Sequence, residues 1–236
     1  MLASPRNPLN IGAAARAMSN FGFENLRVVN PYEVAYAEAR SAVKAGAVIR
    51  ASEEFASFRD AVADCSLVVG TASPGHRTLR HTLRRTEVGG PLIRAALQSG
   101  PVALAFGSEK FGMSNDEMSH CHWLMHIPTR VEHESMNLGQ AVAVCLYEIV
   151  RAEVETLEAK KPRRHAKLED LDRIEELLLG VLTESGYVQE LTRQSAEHKI
   201  RRMLRRLELT SADVPIWLGA LRQIRWRIQR GGAADD

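Results

Sequence analysis

Over the first 159 residues, hydrophobic positions fall into short β-branched runs separated by stretches with helical spacing. The runs Leu26-Arg27-Val28-Val29, Ser66-Leu67-Val68-Val69-Gly70, Val102-Ala103-Leu104-Ala105-Phe106 and Trp123-Leu124-Met125-His126-Ile127 predict strands, with Gly22, Gly70, Gly100 and Gly107 marking turns. The periodic stretches predict helices over 11–20, 35–45, 55–64, 90–99, 114–119 and 138–152. Such alternation predicts an α/β fold built on a largely parallel sheet covered by helices. Ligands of these sheets bind where the loops gather at the carboxyl ends of the strands.

The pattern breaks at residues 160–167, Lys-Lys-Pro-Arg-Arg-His-Ala-Lys, whose proline and lack of large apolar residues predict a basic linker. From 168 to 230 the chain reads as an all-helical extension. Leu168, Leu171, Ile174, Leu178 and Leu182 recur at helical spacing, as do Ile200, Leu204 and Leu207. Thr210-Ser211-Ala212-Asp213 can cap a last helix carrying Ile216, Leu221, Ile224 and Ile228. Helices this few make a thin core alone, so they are expected to pack on the main domain or on a second subunit. Residues 231–236 read as a disordered tail.

Composition narrows the class. The chain has 236 residues, 45% hydrophobic and 25% charged, which is globular. No stretch approaches the roughly 20 apolar residues of a membrane span, and the start MLASPRNPLN lacks a signal-peptide centre, so a cytoplasmic protein is expected. Cys65, Cys121 and Cys145 are odd in number and widely spaced, which predicts buried, reduced thiols. Net charge is +2 but uneven. Residues 1–159 carry fifteen Lys and Arg against seventeen Asp and Glu, residues 160–236 sixteen against twelve. A basic end can track a polyanion, although a solvated helical face also accounts for it.

Three segments at predicted strand ends carry candidate chemistry. In Asn10-Ile11-Gly12-Ala13-Ala14-Ala15-Arg16-Ala17-Met18, Asn10 is a candidate N-cap, and Arg16 presents forked donors suited to a phosphate or carboxylate. In the second, running from Phe106-Gly107-Ser108-Glu109-Lys110-Phe111-Gly112-Met113 to Ser114-Asn115-Asp116-Glu117, a glycine-bounded loop leads into a capping box of Ser114 and Glu117. Met113 stands where a triphosphate-binding loop requires lysine, which disfavours that reading. The third joins Ile127-Pro128-Thr129 to Glu134-Ser135-Met136-Asn137-Leu138-Gly139-Gln140. Taken singly, Ser135 and Asn137 are ordinary helix caps and Arg16 an ordinary surface arginine. His120, Cys121, His122 and His126 invite a metal reading, but ligands two apart in a strand-like segment do not fit zinc spacings, so no metal is expected. Trp217 and Trp226, at near-helical spacing, read as core or interface residues rather than base-stacking platforms.

In this order the three segments, NIGAAARAM, FGSEKFGMSNDE and IPT…ESMNLGQAVAV, resemble the signature motifs of the SpoU/TrmH class of SPOUT RNA 2′-O-methyltransferases over residues 5–150. The helical tail, especially His198-Lys199-Ile200-Arg201-Arg202-Met203-Leu204-Arg205-Arg206-Leu207, more weakly resembles the C-terminal extension of TrmJ-type tRNA methyltransferases. The resemblance implies a SPOUT-type, trefoil-knotted, Rossmann-like parallel sheet over 1–159, homodimerisation through the knot region, and S-adenosylmethionine as cofactor. Thr71, Ala72, Ser73, Gly107, Ile127, Glu134, Ser135 and Met136 map to the cofactor pocket. Asn10, Arg16, Glu109, Ser135 and Asn137 map to the functional polar positions. The family usually carries a full apolar strand before the first motif, where this chain has only Met1-Leu2-Ala3, so a clipped first strand is expected. TrmJ-type chains commonly read Ser-Ser-Leu-Asn at positions 134–137.

The implied reaction is 2′-O-methylation of a tRNA ribose, with nucleotide 32 of the anticodon loop as the target. Arg16 is assigned to the 2′-oxygen and adjacent phosphate as an orienting and electrostatic group, because a guanidinium with a pKa above roughly 12 is a poor base. Ser135 and Asn137 would position the ribose or the cofactor, and Glu109 would hold Arg16 or a pocket loop. Arg163, Arg164, Arg201, Arg202, Arg205 and Arg206 are the candidates for the RNA backbone. The same chemistry on ribosomal RNA or another tRNA ribose, and a non-catalytic RNA-binding module, remain as alternatives. A dinucleotide-dependent oxidoreductase lacks its G-x-G-x-x-G.

Overall fold

A computed structural model describes residues 1–41, 46–73, 80–130, 132, 135–151 and 165–231. Among these residues seven short strands form the sheet: β1 (Leu2–Ala3), β2 (Arg27–Val29), β3 (Glu53–Phe55), β4 (Leu67–Thr71), β5 (Leu83–Arg85), β6 (Val102–Ala105) and β7 (Trp123–His126). Every pairing between these strands is parallel, in one group ordered β1-β2-β3 and another ordered β5-β7-β4-β6. The groups meet where Leu2 bridges to Phe106. There Ala3 N donates to Phe106 O at 2.8 Å and Phe106 N donates to Met1 O at 3.0 Å. The order across the molecule is therefore β3-β2-β1-β6-β4-β7-β5.

Helices cover both faces. On one lie α1 (Pro8–Asn20), α2 (Glu33–Ser41), α3 (Ala47–Arg50), α5 (Thr86–Leu97) and α7 (Leu138–Arg151), packed around Ile11, Ala14, Val28, Ile49, Ile93 and Val142. On the other, α4 (Phe58–Val62) and α6 (Asn115–Ser119) bury Phe58, Ala61, Val62 and Met118 against Val68, Ala103 and Leu124. Strands buried on both faces read as unbroken apolar runs, which is why β2, β6 and β7 fall within the predicted segments and β4 overruns its own only by Thr71. At the edges of the order, β3 is Glu-Glu-Phe and β5 is Leu-Arg-Arg, charged as edge strands commonly are.

The helical extension consists of α8 (Leu168–Glu184), a 3-10 turn at Glu190–Thr192, α9 (Arg193–Arg206) and α10 (Val214–Gly231). It has a small core of its own, with Leu171, Ile174, Leu179, Ile200, Leu204 and Leu221 buried. It also packs on the sheet domain. Leu168 enters the core beneath α4, with Leu168 N donating to Cys65 O and Glu169 N to Ala63 O, both at 3.0 Å. The expected linker lies mostly outside the described residues, as do the tail 232–236 and the end of the helix predicted over 35–45. No helix among the described residues is long and apolar enough to cross a membrane.

Candidate active site

Pro8 opens α1, and the residue before it, Asn7, is the N-cap: Leu9 N donates to Asn7 Oδ1 at 2.9 Å. A proline at the first helical position has no donor to leave unsatisfied, which moves the helix start upstream of the capping position expected at Asn10. Asn10 is thereby free for a different task. Its Nδ2 donates to Glu109 Oε1 at 3.2 Å, and its Oδ1 accepts from Asn137 Nδ2 at 2.8 Å. Glu109 also accepts from the backbone nitrogens of Arg6 and Asn7, each at 3.1 Å. Asn137 Oδ1 in turn accepts from Gly139 N at 2.9 Å at the start of α7. One residue from each of the three sequence segments thus joins a single chain of hydrogen bonds. Glu109 pins the segment leading into α1, so of the two roles expected for it, a hold on Arg16 or on a loop, its contacts are with a loop.

These residues border a cleft of about 690 Å³ at the carboxyl ends of β4, β6 and β7. Volumes of this order accommodate a drug-sized ligand. Thr71, Ala72 and Ser73 leave β4, Gly107 follows β6, Ile127 follows β7, and Ser135 and Met136 approach α7; all line the cleft. Thr71 is oriented by donating its hydroxyl to Ala105 O at 3.0 Å. Glu134 lies outside the described residues. The Gly107–Gly112 loop is closed by Gly112 N donating to Ser108 O at 2.8 Å and Ser108 N to Gly112 O at 3.2 Å. A Cβ at Gly107 would sit 2.0 Å from Gly112 C and 2.1 Å from Met113 N, so only glycine fits. Ser114 and Glu117 form the expected capping box behind it.

Sequence reasoning missed the apolar part of the cleft. Met113, Met118 and Met125 are buried and Phe111 is exposed, and all four line it. Their recurrence near strand ends was the available signal, but methionine fills ordinary cores equally well. His126 also borders the cleft, and burial, aided by Arg85, holds its imidazole below the usual range and therefore neutral at pH 7. Arg16 is exposed on α1 and is not among the lining residues. Six residues beyond Asn10, it stands about 9 Å further along the helix axis.

Residues 1–147 match the model of the SpoU rRNA Methylase family. The chain belongs to this family. Among its relatives, a protein of Sodalis glossinidius named tRNA (cytidine/uridine-2′-O-)-methyltransferase TrmJ is 35% identical, the match covering 91% of this chain and 86% of the relative. One of the same name from Citrobacter koseri is 34% identical over 91% of this chain and 90% of its own. The fold is similar to the crystal structure of TrmJ from Z. mobilis ZM4, with a TM-score of 0.82 and 27% identity over 94% of this chain and 96% of that one. As a SpoU-family member the protein is a methyltransferase, and its cleft occupies the strand-end position expected for the cofactor site.

The basic set expected to face RNA is divided by the structure. Arg163 and Arg164 lie outside the described residues. Arg201 and Arg205 are buried, 7% and 1% exposed, and corrected here to structural cations. Arg201 pairs with Glu175 at 3.0 Å, Glu197 at 2.6 Å and Asp116 at 3.3 Å, while Arg205 pairs with Asp172. The α9 spacing that buries Leu204 turns both toward the sheet domain. Arg202 is partly exposed and Arg206 exposed. Elsewhere, Cys65, Cys121 and Cys145 are free and buried, and His122 Nδ1 accepts from Val68 N at 3.0 Å. Trp217 packs against the helical core, and Trp226 is half-exposed beneath Arg230 at 4.3 Å.

Proposed function

We propose that this methyltransferase acts on tRNA, transferring a methyl group to the 2′-oxygen of the ribose at nucleotide 32 in a cytoplasmic reaction. The carrying observation is the convergence of Asn10, Glu109 and Asn137, one from each motif, at the mouth of a cleft whose walls are the motif loops. The names of the TrmJ relatives support tRNA over ribosomal RNA.

S-adenosylmethionine, when bound, supplies an electrophilic methyl group on sulfonium. The residues present fit such a group: backbone-lined loops at Thr71–Ser73, Gly107 and Ile127 offer polar contacts, and Met113, Met118 and Met125 offer an apolar floor. Asn10 and Asn137 hold each other rigid, which fixes the rim on which a ribose would be oriented. Holding the reacting oxygen in line is worth several kcal/mol of barrier. Ser135, exposed at the rim, contacts the ribose or cofactor. Arg16 orients the 2′-oxygen and its phosphate and stabilises the charge developing there. Because Arg16 stands outside the cleft of its own protomer, it is delivered by the second copy of a homodimer assembled through the trefoil-knotted region of the fold.

Labelled cofactor incubated with total RNA, followed by digestion and mass spectrometry, tests the reading: incorporation at ribose 32 of tRNA is expected, and incorporation only into ribosomal RNA would overturn the substrate. Arg16→Ala is expected to abolish transfer with cofactor affinity within about twofold of wild type. Mixing inactive Arg16→Ala with inactive Asn10→Ala chains is expected to restore part of the activity, since one cleft of a mixed dimer keeps both residues. No restoration would return Arg16 to its own protomer.

A further inference from the structure

Arg202 and Arg206 stand one turn apart on α9, a spacing that brings side chains within about 5–6 Å of each other. Arg80, in the segment leading into β5, belongs to the sheet domain but reaches the same place. Its neighbour His81 hydrogen-bonds the backbone of Met118 in α6, and α6 is the element on which α9 lies, through His198 and Arg201 to Asp116 at 3.3 Å each. Burial and the charges of Arg80 and Arg206 push the Arg202 guanidinium below its usual range. Burial, with the charges of Arg202 and Arg206, also lowers the His81 imidazole below its usual range.

Arg202 thus stands in the field of both Arg80 and Arg206, an arrangement that is costly without a counter-charge. Among the described residues none of the three is ion-paired, whereas Arg201 and Arg205 on the same helix each hold a carboxylate. His81 Nε2 is buried beside them without a hydrogen-bond partner. An unpaired cluster of this kind matches the fork geometry of guanidinium to a phosphate.

We propose that Arg80, Arg202 and Arg206, with His81 beneath them, form a phosphodiester-binding site shared between the sheet domain and the helical extension. The identity of the ligand as RNA backbone rests on the proposed tRNA reading. The site makes recognition a joint property of the two parts: α9 supplies two cations, and the catalytic domain supplies the third. An RNA held there is fixed relative to the cleft, because α9 is itself tied to the sheet domain by Arg201.

The test uses the full chain and a labelled, unmodified tRNA transcript, with binding followed by fluorescence anisotropy between 50 and 300 mM KCl, an experimental range chosen around the steep part of polyelectrolyte binding. Arg80→Gln, Arg202→Gln and Arg206→Gln are each expected to flatten the slope of log affinity against log salt by about 0.7–0.9, and the triple variant by about two or more. Arg202→Lys should keep most of the slope, and Arg173→Gln, on α8, should leave it unchanged. Cofactor affinity should not move. Thermal midpoints without RNA should stay level or rise, since like-charge repulsion is relieved. An unchanged slope in the triple variant, with wild-type methylation intact, overturns the site while leaving the proposed function standing. If wild type methylates no RNA but the slopes flatten as expected, the phosphodiester site stands and the methyl-transfer reading fails. Stabilisation by inorganic phosphate that the triple variant loses, with RNA affinity unchanged, would reassign the cluster to a free anion and overturn the proposal.

Discussion

The Glu109 carboxylate gathers the Arg6 and Asn7 amides and the Asn10 side chain at the entry to α1, where backbone donors have no helical acceptor. Removing it in Glu109→Ala is expected to cost about 1–2 kcal/mol, as loss of a helix cap does. Thermal unfolding should show a midpoint lower by about 2–8 °C. Glu109→Gln, which retains one acceptor oxygen, should fall between; a midpoint equal to wild type in Glu109→Ala would show that the contacts are not held in solution. Gly107 is constrained differently, by space. A methyl there meets the backbone of Gly112 and Met113 on contact, and backbone cannot rotate away as a side chain can. Gly107→Ala is therefore expected to displace the loop and weaken cofactor binding at least about tenfold, equivalent to about 1.4 kcal/mol. Titration calorimetry giving an affinity within twofold of wild type would mean that the loop repacks without reshaping the cleft. Of these two residues, Gly107 was assigned to the cleft from its motif. The task of Glu109 was not legible, because its partners Arg6, Asn7 and Asn10 are a hundred residues away along the chain.

Helices α1 and α7 meet closely enough that a Cβ on Gly139 would lie 2.5 Å from the Cβ of Ala13. The contact is two residues from Asn137 and three from Asn10, so the helix pair sets the separation that the Asn10–Asn137 hydrogen bond spans. Gly139→Ala is expected to destabilise by about 1–3 kcal/mol through overpacking. It should also slow transfer, since the rim asparagines move with the helices. Adding Ala13→Gly removes the clashing methyl. A favourable coupling in the double-mutant cycle, measured by chemical denaturation, is the expected signature, and strict additivity would place the strain elsewhere. Both small residues stand in segments singled out from the sequence, yet periodicity says only that a face is apolar, not which helix it meets. The same limit explains the elements that were missed. α3 has four residues, too short to show a period, and β3 and β5 carry Glu53, Glu54, Arg84 and Arg85, whereas the two-residue β1 is the clipped first strand that the family resemblance implied at Met1-Leu2-Ala3. Pro91 hid the start of α5, which begins five residues earlier at Thr86.

Across the whole molecule, the extension is joined to the sheet domain by buried charge as much as by apolar packing. Asp172 on α8 accepts from Arg59 of α4 at 2.9 Å and from the buried Arg205 of α9, and Arg201 donates to Ser119 Oγ at 2.9 Å and contacts His120 Nε2 at 3.2 Å. Burial, reinforced by Arg201 and Arg205 against the opposing pull of Asp172 and Asp116, pushes His120 down to about 4. A histidine held neutral in the folded state takes up a proton on unfolding. Its contribution is therefore complete above the unfolded value of about 6.5 and is lost as pH falls from there toward 4. Denaturation at pH 7 and pH 5 should show lower stability at pH 5, and His120→Gln should reduce the difference; an undiminished difference would assign it to other groups. The sharper expectation concerns Asp172. Arg205 is fully buried, its Nε and Nη1 already lack partners, and Asp172 is the carboxylate it directly contacts. Asp172→Asn leaves that guanidinium charged in a site without its counter-ion, which typically costs about 3–5 kcal/mol. Replacing both members, Asp172→Leu with Arg205→Met, removes the stranded charge together with its partner and should recover most of the loss. Failure of the double variant to recover would show that the pair is held for the fit of α8 and α9 rather than for charge balance. In that case the tie to Arg59, which the double variant also removes, joins Leu168 and Arg201 in seating the extension on the sheet domain.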